Sequence, residues 1–500
     1  MKNTRLMRLL ITMIAALMVL GCVLTSCTKT PDNPDTDTKD TGDDTGNPED
    51  TQETEPDMFE DLRGTTFDGA EFVVYTYKTS GGWAHYLEEH DGGVDRLNEA
   101  AVERNGMVEE LLDVVIEIEY ATTSHDKVLS DYVLKAMGGQ HFTDLIVPWA
   151  TEKIASLITS GALYDIKQLD YMNLDAEYYN QSANKNFTLK GRQYAFVSDY
   201  TYAVQQRFAF LANLDMIEEY GALENIETDA SDYYELVVNG ELTVDNVLKM
   251  AEGIYSENGS EDPLAGIYGF ATNPNSAGRM FQDWGVELVA LDDEGELVFN
   301  LYNDDIEAKY SKLNELIYDG DTYFDLIGNN TYYKIFNEGR AMFGTYSSDP
   351  YSFVNKPWAE IHFAYSPMPK YDAEDDYVTV AHGGLILVSS LIEDPDMVGA
   401  VAEALSIASN DLIKEEYIAN YFETRVIQDP EGIELYEIIR DTAYIDMNRY
   451  IDPNGLVSGV GFIVNPLKEK EALSTYNEQN GQAIIDAYNN LFKRLANIKQ

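Results

Sequence analysis

The chain has 500 residues, and 88 Asp and Glu against 34 Lys and Arg give it a formal net charge of −54. That balance argues against nucleic acid or anionic lipid as partners, because both need a basic footprint. It leaves neutral ligands open, and a chain with 35 tyrosines has surface suited to them. The length beyond residue 57 exceeds what one hydrophobic core usually organises, so two lobes are expected.

The first element is a leader. Lys2, Arg5 and Arg8 precede a largely apolar run, Leu9–Leu24, which ends in Thr25-Ser26-Cys27. Basic, apolar, then small residues is the layout of an export signal. The run is shorter than the roughly 18–20 residues that read as a membrane span, which weighs against an uncleaved anchor. A Cys behind small residues resembles a bacterial lipobox, with cleavage after 1–26 and a lipid on Cys27. Cys22 fits less well, because bulky Leu20 stands two positions before it. Both cysteines lie in this segment, so disulfides, Cys nucleophiles and Cys metal sites are excluded downstream. Residues 27–57 are rich in Thr, Asp, Glu, Pro and Gly and cannot bury enough surface to offset ordering entropy. They read as an acidic tether that holds an extracytoplasmic body off a membrane.

In the body, strands are expected over 71–77, 114–120 and 144–149, separated by helices over 94–112 and 125–137 and followed by one over 151–160 that ends at Gly161. Alternation at this spacing predicts a parallel sheet with covered faces, whose ligands bind beyond the carboxyl ends of strands. Tyr75, Tyr77, Trp83 and Trp149 fall at or beyond such ends. Strands follow over 194–202 and 206–213, then a helix from 243 to 255 with Thr243 as its N-cap. Next come a strand over 268–272, a short helix over 277–284, a hairpin over 288–300 turning at 292–295, and a helix over 304–318. Strands over 340–346, 360–366 and 383–389 precede a mainly helical tail from 395. The fold class is α/β.

Several blocks, in this order, resemble the bacterial extracellular solute-binding proteins of family 1, the receptors of carbohydrate ABC importers. They are Thr143-Asp-Leu-Ile-Val-Pro-Trp-Ala150, Ile158-Thr-Ser-Gly-Ala-Leu-Tyr-Asp-Ile166, Phe210-Leu-Ala-Asn-Leu-Asp-Met216, Leu242-Thr-Val-Asp-Asn-Val-Leu248, Phe336-Asn-Glu-Gly-Arg-Ala-Met342, and His382-Gly-Gly384 with Asp394-Pro-Asp396. The block at 242–248 departs from the family pattern, with Leu242 and Val244 in place of tryptophans. The resemblance covers about 70–410 and implies a two-lobed, type II flytrap fold with three interlobe crossovers. It places lobe one at 66–205 with 341–383 and lobe two at 206–340 with 384–500. It also implies a monomer, no enzymatic activity, a carbohydrate ligand, permease subunits as partners, and a lipid anchor on the extracytoplasmic face of the cell membrane.

Sugar recognition uses flat aromatic faces and planar polar groups. The candidate ligand contacts are Trp149, Trp83, Tyr346, Ser347, Asp199, Tyr200, Gln206, Trp284 and His382. Most have a structural alternative: core packing for Trp149, capping of a lobe from a glycine turn for Trp83, helix capping for Tyr346 and Ser347, a plain loop carboxylate for Asp199, a structural role for His382. No catalytic motif, metal site or cofactor motif is recognisable, and the acidic run Asp292–Glu296 lacks the calcium-loop pattern. Two other readings are a surface glycan-binding lipoprotein of an outer-membrane uptake complex, expected to be mostly helical, and a lipoprotein glycoside hydrolase.

Overall fold

The computed structural model describes residues 57–78, 85–90, 95–122, 124–256, 262–328, 330–346, 361–457 and 461–498. The leader, Cys27, Trp83 and Ser347 lie outside the described residues, as does nearly all of the tether.

The first layer begins with β1 (Ala70–Thr76), α1 (Asp95–Leu112), β2 (Val114–Tyr120), α2 (Val128–Ala136), β3 (Leu145–Val147) and α3 (Ala155–Ser160). β1 is parallel to both β2 and β3. Its last five residues are buried, as a central strand covered on both faces requires. β2 alternates between a covered face and an exposed one, the pattern of an edge strand. Gly161, at φ +73°, closes α3 in the left-handed conformation that glycine adopts without penalty.

The chain then crosses β4 (Gln206–Arg207) into β5 (Ala209–Asn213), followed by α4 (Val244–Ala251), β6 (Tyr268–Thr272) and α5 (Pro274–Asp283). Thr243 caps α4 by accepting from the Asn246 amide at 3.2 Å, and the Asn246 side chain reaches back to the Glu241 carbonyl at 2.9 Å. The hairpin of β7 (Val289–Leu291) and β8 (Leu297–Phe299) precedes α6 (Asp304–Tyr318), β9 (Thr322–Phe324), β10 (Ala341–Tyr346) and β11 (Phe363–Ser366). At its turn, Asp292 accepts from the amides of Glu294 and Glu296. The remainder comprises β12 (Thr379–His382), β13 (Leu387–Val388), α7 (Pro395–Ser409), α8 (Gly432–Asp441), β14 (Ala443–Ile445) and a last long helix, α9 (Leu473–Leu495).

Three sheets matter for the site. The first has the order β13-β3-β1-β2, the second β9-β6-β10-β5-β11, and a small third sheet has the order β14-β12-β4. The third sheet joins the other two, since β4 leads out of the first layer into β5 and β12 leads back toward β13.

This pairing corrects the expected lobe boundaries. Residues 341–346 and 363–366 do not belong with the first sheet. β10 hydrogen-bonds to both β5 and β6, and β11 pairs with β5, so both sit in the second sheet. Conversely β13 pairs with β3 in the first sheet, although it falls within the 384–500 expected in lobe two. Helix α7 also packs in the first lobe, against α1. A second correction concerns 194–202, where a 3-10 turn over Asp199–Val204 replaces the expected strand end. The Ser198 hydroxyl accepts from the Tyr200 amide, and Thr201 donates to the carbonyls of Ser198 and Gly384.

Every residue of α7 from Met397 onward is buried, and the backbone beside it is so close that a Cβ on Gly399 would stand 2.0 Å from the Asp170 carbonyl oxygen. Its Glu403 is buried and accepts from the hydroxyls of Tyr178 and Tyr179 and the Asn173 amide. Beyond α7 the chain continues as π-helical turns over Asn410–Lys414 and Tyr417–Phe422. One apolar cluster runs through the junction, with Tyr75 and Ile146 of the first sheet, Phe210 and Phe270 of the second, and Tyr450 and Ile451 of the tail. Among the described residues no helix is long and apolar enough to cross a membrane.

Candidate functional site

The carboxyl ends of β1 and β3 carry Tyr77 and Trp149. The Trp149 ring is half-buried and held edge-to-face by Tyr77, with centroids 5.1 Å apart, and by His125, at 5.0 Å. Its backbone is fixed by the buried carboxylate of Glu152, which accepts from the Trp149 amide at 3.1 Å and from the Leu129 amide at 2.8 Å. Burial raises the Glu152 carboxyl above its ordinary range, opposed by those amides. An aromatic ring at a strand end, oriented by two neighbours and a clamped loop, can serve as a stacking platform.

Four residues past Trp149, Lys153 donates to the Arg449 carbonyl, and the Arg449 Nε donates to the Ala150 carbonyl at 3.2 Å. The segment after β14 therefore wedges against the first lobe. It also grips the second, because Asp446 accepts from Gln282 of α5 at 2.5 Å and Asn448 donates to the Val289 carbonyl at 2.8 Å. Between the lobes lies Arg279 of α5, which is 0% exposed. Its Nη1 donates to Gln282 at 2.8 Å and its guanidinium sits 5.2 Å from the Phe208 ring centroid. That ring in turn is 4.5 Å from His382. Burial, then Arg279, Arg449 and Lys153, hold the His382 imidazole well below its usual pKa, so it is neutral. Burial and the neighbouring Arg449 pull Lys153 down to about 8. Asp283 accepts from the Val380 amide at 2.6 Å, and burial lifts its carboxyl far above the usual range, favouring the neutral acid.

His382 and Gln206 are register partners in the third sheet, as are Ala381 and Arg207. Neighbouring residues on a strand face opposite ways, so the half-buried Gln206 shares the face of His382, the residue on which Arg279 acts. Arg207 faces the other way, into a polar cavity of about 340 Å³ whose lining includes Ser198, Asp199, Gln205, Lys414 and Arg440. There Asp199 meets Lys414 at 3.3 Å. Burial raises Asp199 to about 6, with Lys414 opposing the shift.

The expected site residues are therefore divided. Gln206 and His382 share one face of the third sheet and Asp199 lies across it, whereas Trp149 stands just beyond the end of β3. Tyr200 is enclosed, with the Arg104 guanidinium 4.8 Å from its ring centroid, and packs in the first lobe's core. Tyr346 is 1% exposed, pairs in register with Ala209 and lies 5.2 Å from Tyr333, so it is a core residue at a strand end. Trp284 is 4% exposed and its indole N–H donates to the Pro369 carbonyl at 2.9 Å, between Phe281 and Tyr371. The ring is committed to packing. Arg279, Lys153 and Arg449 escaped sequence reasoning. Their one signal is that Arg279 stands within a helix of otherwise mostly small and apolar residues in a chain poor in cations. Among the described residues no three His, Asp or Glu side chains converge as metal ligands would.

No family profile and no curated protein matches the chain. Solved structures do. It aligns to a cyclic alpha-maltosyl-1,6-maltose binding protein from Arthrobacter globiformis with a TM-score of 0.56 at 13% identity, over 85% of this chain and 99% of that one. The fold is a two-lobed solute-binding fold. A cyclo/maltodextrin-binding protein complexed with maltotetraose aligns with a TM-score of 0.53 at 15% identity, over 87% and 99% of the two chains. An ABC substrate-binding protein from Listeria monocytogenes in complex with cycloalternan gives 0.51 at 13% identity, over 84% and 100%.

Proposed function

We propose that this chain is the lipid-anchored receptor of an ABC importer, binding an oligosaccharide between its lobes and delivering it to a permease. The observation that carries the reading is Trp149. It is a buttressed aromatic at the carboxyl end of a first-lobe strand, beside the sheet that links the lobes, in a fold whose similar solved structures are named as binding proteins for maltodextrins and related sugars. The export signal, Cys27 and the acidic tether support attachment to the outer face of the cell membrane, and the type II lobes support closure around the ligand. A ligand that touches both lobes stabilises the closed state by its differential affinity, and that state is what a permease can recognise.

The test is a thermal-shift screen of the mature chain against neutral and charged oligosaccharides, because a ligand bound only by the folded state raises the melting temperature. The expected result is a saturable shift with a smaller radius of gyration by small-angle scattering, and sugar recovered unaltered. Hydrolysis products would replace the receptor reading with a glycosidase, and identical scattering with and without saturating ligand would remove the flytrap. Cys27→Ala should abolish partitioning into a detergent phase.

A further inference from the structure

The guanidinium of Arg279 has an unusual state of satisfaction. It is completely enclosed, yet only Nη1 is hydrogen-bonded, while Nε and Nη2 have no partner. Those two nitrogens form one edge of the planar group, the edge that receives the two oxygens of a carboxylate in a bidentate pair. His382, 2% exposed, likewise leaves Nε2 without a partner. Buried donors left unmade forfeit their full hydration, so such groups are normally answered by water, an ion or a ligand.

The nearby carboxylates do not answer them. Both oxygens of Asp446 are taken, by Gln282 on one side and by the amide and side chain of Asn448 on the other. Asp283 spends one oxygen on the Val380 amide, and its second has no partner. Among the described residues no salt bridge reaches Arg279. Lys153 and Arg449, both half-buried, stand around it and add two more cations. Lys153 follows Trp149 by four residues across a turn closed by the Glu152 amide on the Trp149 carbonyl at 3.0 Å, and the Arg449 Nε donates to the carbonyl of the next residue, Ala150, so the cluster is tied to the segment that carries the aromatic platform.

We propose that this cluster binds a carboxylate on the sugar, making the ligand an acidic saccharide that contains a uronic acid residue. The carboxylate seats side-on against Nε and Nη2 of Arg279, with Lys153 and Arg449 at its outer side, while a ring of the same ligand stacks on Trp149. The proposal rests on the oligosaccharide reading above and narrows its substrate class.

The experiment compares matched pairs differing only at C6, digalacturonate against galactobiose and cellobiuronate against cellobiose, by calorimetry on the mature chain. At least one acidic member is expected to bind tenfold or more tighter than its neutral partner. Arg279→Gln should bring that ratio near one by weakening the acidic member far more than the neutral one. Lys153→Gln and Arg449→Gln, at half-buried positions, should each lower the ratio and serve if Arg279→Gln does not fold. Equal or tighter binding of the neutral members, or a ratio unchanged in every variant, overturns the proposal and leaves the carbohydrate reading intact. If no oligosaccharide binds, that wider reading fails and the site is judged with glucuronate and acetate alone. A melting-temperature rise in wild type that Arg279→Gln abolishes upholds a carboxylate site, and no rise overturns it.

Discussion

Replacing Gly383 with alanine is expected to destabilise the protein by about 2–5 kcal/mol, the sum of a left-handed backbone forced on a residue with a side chain and of overpacking. Gly383 follows β12 at φ +77°, and a Cβ there would meet the Val204 carbonyl oxygen at 2.4 Å. That atom is backbone in the other strand connection, so it cannot swing aside as a side chain could. The Gly383 amide also donates to the Tyr450 hydroxyl at 2.7 Å, tying the linking sheet to the tail. Gly455→Ala is the control, since its φ is +73° with nothing within 4 Å of the added atom. It should cost about 1–2 kcal/mol, the backbone contribution alone. Denaturant unfolding of the two variants measures both, and equal losses would show that the close approach at the hinge is not tight.

Trp149→Ala is expected to weaken oligosaccharide binding by about 1–3 kcal/mol, on the scale of aromatic hot spots, which is roughly a 5- to 150-fold rise in Kd. Folding stability should fall by less than the ~3–5 kcal/mol typical of an enclosed Trp, because the ring is half-buried and meets Tyr77 and His125 in edge-to-face pairs only. Unfolding without ligand and calorimetry with the best sugar separate the two effects. A large stability loss with affinity retained would assign Trp149 to the core. Trp284→Phe provides the contrast, since it removes the hydrogen bond to Pro369 and should lower stability without touching affinity.

Much of the fold was legible locally. Apolar runs such as Phe72–Tyr75 and the helical spacing of Leu97, Ala101, Val108 and Leu112 announce buried faces, and all of these are buried. The 194–202 segment misled because Tyr, Phe, Val and Thr favour strands, whereas Ser198 and Thr201 use their hydroxyls to turn the backbone. The lobe boundaries misled for a different reason. Strand order is a long-range property, and nothing within Ala341–Tyr346 signals that it pairs with both Ala209–Asn213 and Tyr268–Thr272. At the site, aromatic residues suit cores as well as ligands, so Trp149, Trp284 and Tyr346 look alike until burial and hydrogen bonding separate them. Arg279 belongs to no motif. Its interest comes from what does not contact it.

The buried cations of the junction sit inside a molecule whose long-range field is strongly negative, and the two act over different distances. Within a Debye length of the surface, about 10 Å at 0.1 M salt, an approaching anion meets the field of the whole acidic surface; the buried Arg279 and its neighbours act only at contact. If the ligand is an acidic saccharide as proposed, its capture has an outer barrier and an inner well. Added salt thins the barrier first, so the association rate constant of an acidic ligand should climb with ionic strength, while that of a neutral sugar stays flat. On the proposed reading, the ionic strength of the medium thereby becomes a kinetic control on which sugars are caught first.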